Sequence, residues 1–228
     1  MAVKCRIYIV LYLYVFFVHD SYAQEFILGI DVSHYQGDIV WEVTKQSEVI
    51  FAYIKVSEGA HMVDPKFFYN WVETKRLGIL SGGYHFFKPG IDPEYQANLF
   101  LTNLGFYKND DMLPPVVDIE VIYNEENHTK LLKDLTIWLK KVESNLNCKP
   151  IIYTNYHFWK KYLADILSDY KLWIADYNDN FDWYSVKEKL VFWQFVQDAK
   201  VPGIPVLVDK NRFNGNYNEL LNLVCKKK

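Results

Sequence analysis

Pro114-Pro115-Val116-Val117-Asp118-Ile119-Glu120 places two carboxylates two residues apart in an otherwise apolar, β-branched run. In a strand, residues i and i+2 share a face. Asp118 and Glu120 therefore project side by side, while Val117 and Ile119 bury on the other face. Like charges that close do not ionise independently, so one of the two pKa values rises. A carboxylic acid held protonated beside a charged carboxylate is the pairing on which general acid catalysis rests. The competing reading is a solvated edge strand with two exposed acids. The flanking valines and isoleucine, entered through a proline pair, favour a buried strand.

Outward from this run, strand-like and helix-like segments alternate. Residues 26–32 and 49–56 read as strands, the second ending in Ser57-Glu58-Gly59. Asp64-Pro65 opens a helix through Phe67, Phe68, Trp71 and Leu77, with Asp64 as N-cap, and Gly78 closes it. Residues 79–87 form a third strand. Asp92-Pro93-Glu94 opens a second helix by the same device, its apolar face using Tyr95, Leu99 and Leu104. The Asp118/Glu120 strand comes fourth. A long amphipathic helix follows, with Leu131, Leu132, Leu135, Trp138, Leu139 and Val142 at helical spacing. Residues 150–154, 172–177, 191–195 and 206–209 read as four further strands, and 217–224 as a short final helix.

Eight strands with interspersed helices imply an α/β fold, a single irregular parallel (β/α) barrel of the TIM type. The connections after the first, sixth and seventh strands are too short for full helices, so fewer than eight complete helices are expected. A doubly wound open sheet is the alternative, but no glycine-rich phosphate loop follows the first strand.

The 228 residues suit one sizeable domain. Hydrophobic content of 50% and aromatic content of 18% exclude a disordered chain. The 7 Trp and 18 Tyr exceed the needs of a core and suit carbohydrate faces. A net charge of −3, with no basic patch beyond Lys226-Lys227-Lys228, excludes nucleic acid as the expected partner. Lys4 and Arg6 precede an apolar stretch at 7–18, and Ser21-Tyr22-Ala23 fits a small-x-small cleavage site. Residues 1–23 thus read as a signal peptide and 24–228 as the barrel, with a mature charge of about −4. The apolar stretch is too short for a stable membrane span, although an uncleaved anchor is the competing reading. Cys5 lies too early to be a lipid-attachment cysteine at the cleavage point. The expected location is secreted: extracellular, or periplasmic in a Gram-negative host. Cleavage leaves Cys148 and Cys225. In an oxidising compartment an even pair invites a disulfide, with two buried thiols as the alternative.

Asp31 closes the first strand, Asp118 and Glu120 the fourth, and Asp209 the last. In a parallel barrel these ends converge on one face. Four acids in one mouth could hold calcium or magnesium, but no EF-hand spacing occurs, and no metal or other cofactor is expected. Aromatic residues occupy matching positions: Tyr84, Tyr153, Trp173, Tyr177 and, with its neighbour Gln194, Trp193. Singly each suits a core; as a set they suit a sugar-binding wall. His85 and Glu58 fit equally well as satisfied structural residues.

In order along the chain, Gly29-Ile30-Asp31-Val32-Ser33-His34-Tyr35-Gln36-Gly37, Ile54-Lys55-Val56-Ser57-Glu58-Gly59, Gly83-Tyr84-His85-Phe86, Gln96-Ala97 and Val117-Asp118-Ile119-Glu120 carry a family resemblance. Ile152-Tyr153-Thr154, Leu172-Trp173-Ile174-Ala175, Trp193-Gln194 and Val208-Asp209-Lys210-Asn211 continue it. The chain resembles the glycoside hydrolase family 25 lysozymes, N-acetylmuramidases of the Chalaropsis type, over nearly all of residues 26–215. The resemblance implies an irregular β/α barrel that cleaves the β-1,4 bond between N-acetylmuramic acid and N-acetylglucosamine. Bacterial peptidoglycan is then the expected partner, met by a monomer. Departures are Val56-Ser57 where Ala-Thr is commoner, and the loop from Tyr123 to Thr129 at the cleft rim. No wall-binding repeat is visible after the barrel, so the catalytic domain is expected to do the targeting. The resemblance implies Glu120 as general acid and then base and Asp118 as an ionised partner orienting the substrate's 2-acetamido group, with direct attack by a carboxylate as the open alternative and net retention expected from either. Asp31 and Asp209 would set the pair's protonation and bond the sugar at the scissile subsite. A chitinase-like hydrolase of other 2-acetamido sugars, or a decayed glycan-binding barrel, are the alternative readings. Asn127-His128-Thr129 is an N-glycosylation sequon, meaningful only in a eukaryotic secretory pathway.

Overall fold

Strands form where β-branched and aromatic residues alternate between two buried faces. The computed structural model describes residues 26–106, 112–178 and 182–225, so the signal-peptide reading, Cys5 and the terminal lysines lie outside the described residues. The strands are β1 (Ile27–Val32), β2 (Val49–Glu58), β3 (Met62–Val63), β4 (Leu80–Phe86), β5 (Val116–Asp118), β6 (Ile151–Asn155), β7 (Lys171–Ala175), β8 (Leu190–Ala199) and β9 (Val208–Phe213). Their order is β1-β9-β8-β7-β6-β5-β4-β2, and β1 pairs with β2 to close the ring. β3 is an antiparallel appendage on β2. The helices are α1 (Trp41–Lys45), α2 (Phe67–Arg76), α3 (Pro93–Gly105), α4 (His128–Leu146), α5 (Tyr156–Phe158, running into a π-helical turn at Trp159–Leu163) and α6 (Tyr217–Asn222). The expected barrel with an incomplete set of helices is therefore present.

Its parallel character is not complete. β9 runs antiparallel to both neighbours, β8 and β1. The link between β8 and β9 spans only residues 200–207. A parallel crossover needs about a dozen residues or more, so the chain turns back as a hairpin instead.

Two further expectations are corrected at helix ends and faces. Asp92 does cap α3, its Oδ1 accepting from the Glu94 and Tyr95 amides at 2.8 and 3.3 Å. Asp64 does not cap α2, which starts three residues later with no side-chain cap. Its Oδ1 accepts from the Lys66 amide at 2.9 Å. Its Oδ2 meets the His34 amide at 3.0 Å and His34 Nδ1 at 2.7 Å, so the carboxylate straps down the turn after β1. The buried stripe of α3 runs Pro93, Gln96/Ala97, Phe100 and Leu104, leaving Tyr95 65% exposed and Leu99 half-buried. Gln96 takes an inward position because His85 Nε2 and the Lys88 amide meet its Oε1, a polar partnership that a hydrophobicity pattern cannot show.

The core has two layers. Phe51, Tyr53, Val116, Ile151, Trp173 and Phe192 fill the barrel, and Ile30, Ile54, Val117, Ile119, Leu135 and Trp138 pack the outer wall against helices. Gly82 lets the Tyr53 ring cross the interior: a Cβ there would lie 2.3 Å from it. His85 belongs to the outer layer, fully buried. It bonds Ser57 Oγ at 2.9 Å and stacks on Trp138 with centroids 5.6 Å apart. Burial pushes its pKa down to about 4, and its role is structural. Cys148 and Cys225 form a disulfide with Cα atoms 5.4 Å apart, tying the end of α4 to the segment after α6. Among the described residues no helix is long and apolar enough to cross a membrane.

Candidate active site

β1 and β5 end at one mouth of the barrel, and β9 begins there. Register pairs Asp31 directly with Asp209. Asp209 thus stands near the start of a reversed strand, where a parallel barrel would have put it at an end; reversal still delivers it to the same mouth. A cavity of about 190 Å³ opens between Asp31, Asp118, Glu120 and Asp209. Tyr84, Tyr153 and Trp173 line it as well.

Tyr177 and Gln194 are absent from that lining. Gln194 is 1% exposed and works beneath the surface. Its Oε1 accepts from Tyr153 and Tyr177 hydroxyls at 2.8 and 2.5 Å. Two donors on the oxygen turn the amide nitrogen towards Asp31 Oδ2, 2.9 Å away. Asn211 Nδ2 donates to the same oxygen at 2.7 Å, and Trp173 Nε1 orients Asn211 by donating to its Oδ1 at 2.8 Å. Gln194 and Trp173 therefore hold Asp31 in place, and Tyr177 stands half-exposed at the rim.

Burial dominates the electrostatics. It pushes Asp31 up to about 6 against the bonds from Asn211 and Gln194. Burial and then the Asp31 charge push Asp209 up to about 8, so this pair retains a proton near neutrality. Asp118 and Glu120 line the same cavity, and both are raised, by burial first. Glu120's charge raises Asp118 further. The sequence expectation kept Asp118 ionised and Glu120 protonated. Desolvation works against that order, because Asp118 is only 7% exposed while Glu120 is half-buried.

Several lining residues escaped the sequence reading. Tyr35 flanks the cavity, and Lys55 reaches it from β2 while 4% exposed. The signal for Lys55 was its phase. Phe51 and Tyr53 point into the barrel, and period two carries that face to residue 55. Glu58, left ambiguous by the sequence, pairs with Lys55 at 2.6 Å and Lys88 at 2.5 Å.

A closed barrel whose mouth gathers four carboxylates beside tyrosine and tryptophan suits a glycosidase. The sequence profile of Glycosyl hydrolases family 25 matches residues 30–204, and the chain belongs to that family. It is 38% identical over 203 residues to the uncharacterized protein YegX of Escherichia coli K12, covering 84% of this chain and 71% of that one. It is 30% identical over 208 residues to lysozyme M1 of Streptomyces globisporus, covering 86% and 70%. A solved family 25 glycosyl hydrolase from Bacillus anthracis superposes with a TM-score of 0.77 at 30% identity, over 86% of this chain and 92% of that one.

Proposed function

We propose that the protein is a secreted lysozyme that hydrolyses the β-1,4 bond between N-acetylmuramic acid and N-acetylglucosamine in peptidoglycan, with net retention. The observation that carries this reading is the gathering of Asp118 and Glu120, with Asp31 and Asp209, in one cavity walled by aromatic residues. The likeness to lysozyme M1 supports the substrate. The apolar stretch at 7–18 and the formed disulfide support secretion.

Glu120 protonates the bridging oxygen and then, as carboxylate, takes a proton from water. Asp118 orients and charges the substrate's acetamido group, whose carbonyl oxygen attacks the anomeric carbon. Asp31 and Asp209 hold a proton between them and hydrogen-bond the sugar at the scissile subsite. An inverting pair needs carboxyls roughly 6.5–9.5 Å apart with water between them. Asp118 and Glu120 stand two residues apart on one segment and line one cavity, an arrangement that suits two displacements and retention. Tyr84, Tyr153 and Trp173 wall the sugar site, with Tyr177 at the rim.

Turbidity loss with purified bacterial walls, compared with release from chitin, tests the substrate. Faster release from chitin would mean a hydrolase of other 2-acetamido sugars, and binding without release would mean a decayed barrel. Proton NMR of early product tests the stereochemistry: the new muramic reducing end should appear first as the β-anomer, and an initial α-anomer would rule retention out.

A further inference from the structure

Among the described residues, the cavity wall holds one cation and four carboxylates. Burying a lysine in an otherwise apolar strand costs free energy that a methionine of similar length would not. Lys55 is nevertheless 4% exposed. Its Nζ lies over the Phe86 ring, 5.2 Å from the centroid. Across the sheet, Glu58 pairs in register with Phe86 and Phe86 with Asp118. The ammonium therefore sits above the residue that separates Glu58 from Asp118. One Glu58 oxygen bonds Lys55 and the other bonds Lys88, which stands at the exposed end of the chain of charges. Two cations against one anion leave a net positive charge, with its buried end in the cavity.

We propose that Lys55 is a positioning residue for the reaction: its ammonium, offset by Glu58 and Lys88, biases the pair towards a charged Asp118 and a protonated Glu120. The inference rests on the assignment of Asp118 and Glu120 given above. The groups that face Asp118 are Glu120 on its own segment, Asp31 from β1, Asp209 from β9, Tyr84 from β4, Tyr153 from β6 and Lys55 from β2. All but Lys55 are acids or phenols. Burial, then Glu120 and Asp31, raise the cost of a charge on Asp118, and among the groups that face it Lys55 works the other way. Without the ammonium, the more buried carboxyl keeps the proton, and the acid catalyst is left ionised.

The test is the pH profile of kcat on soluble wall fragments, with melting temperatures alongside. Lys55→Met should lower kcat about tenfold, the factor for one pKa unit of proton preference, and move the acid limb to higher pH. Glu58→Gln leaves the lysine charge uncompensated, so its acid limb should move to lower pH. Lys55→Arg should keep the limb near the native position. Lys88→Met, at the exposed end, should move it upward by less and serves if Lys55→Met does not fold. Opposite shifts are not produced by lost packing. Shifts of the same sign in the Lys55 and Glu58 variants, or an unmoved limb with a lowered melting temperature, would overturn the proposal. Misassignment of the pair itself shows separately, as retained wall activity in Glu120→Gln.

Discussion

Glu120→Gln keeps the size of the side chain and removes its transferable proton. Activity on walls should fall at least about 10²-fold, the usual scale of general acid catalysis, with the melting temperature unchanged; near-native rates would sink the assignment. Asp209 offers a stability test with a definite sign. In the fold Asp31 and Asp209 hold protons up to about pH 6 and 8, against an ordinary value of 3.8. Below about pH 4 the folded and unfolded chains are both protonated, and the pair costs nothing. As pH rises the unfolded chain releases protons first, so stability declines through the window and levels off above about 8. Asp209→Asn should therefore lose less melting temperature between pH 4 and 8 than the native protein does. His85 works in the opposite sense between about 4 and 6.5, but it is common to both proteins and drops out of the difference. Identical slopes would show that Asp209 ionises freely.

Single elements owe their shape to steric allowances of similar size. In β4, alanine at Gly82 would drive its Cβ into the Tyr53 ring, which packs against Trp173 with centroids 4.8 Å apart. Gly82→Ala should cost about 1–3 kcal/mol, as overpacking does. Gly105→Ala meets nothing within 4 Å at the end of α3 and should be neutral or gain about 0.5–1 kcal/mol. Urea midpoints of the two variants check both. The same elements show what was legible in the sequence. Strands announced themselves because both of their faces are buried, and Asp92-Pro93 announced α3 because capping is local. Asp64-Pro65 carried the same local signal, but the Asp64 carboxylate is spent on His34, thirty residues away. The direction of β9 was hidden for a related reason: strand patterning is identical read either way. Of the site, the four acids could be placed at the mouth. The supporting network through Gln194 and Asn211 could not, because each bond crosses between strands remote in sequence.

On the scale of the whole molecule, the Cys148–Cys225 bridge closes a loop of 77 residues. The loop-entropy relation gives about 4–5 kcal/mol for a closure of that length. Cys148→Ser with Cys225→Ser should approach that loss in urea unfolding, and activity of the folded fraction should persist because the bridge is not among the residues lining the cavity. A loss well under about 1 kcal/mol would mean that the reduced unfolded chain stays compact.

The place of β9 between β8 and β1 has a further consequence, for the order in which the protein is made. β1 can pair with β2 early in synthesis, but its other edge is reserved for a strand ending at Phe213. An unpaired strand edge recruits other chains, and growing chains emerge amino end first. The nascent protein therefore leaves the ribosome with an open edge for most of its length. Its exposure to aggregation is concentrated in that interval, before the last strand arrives and seals the ring.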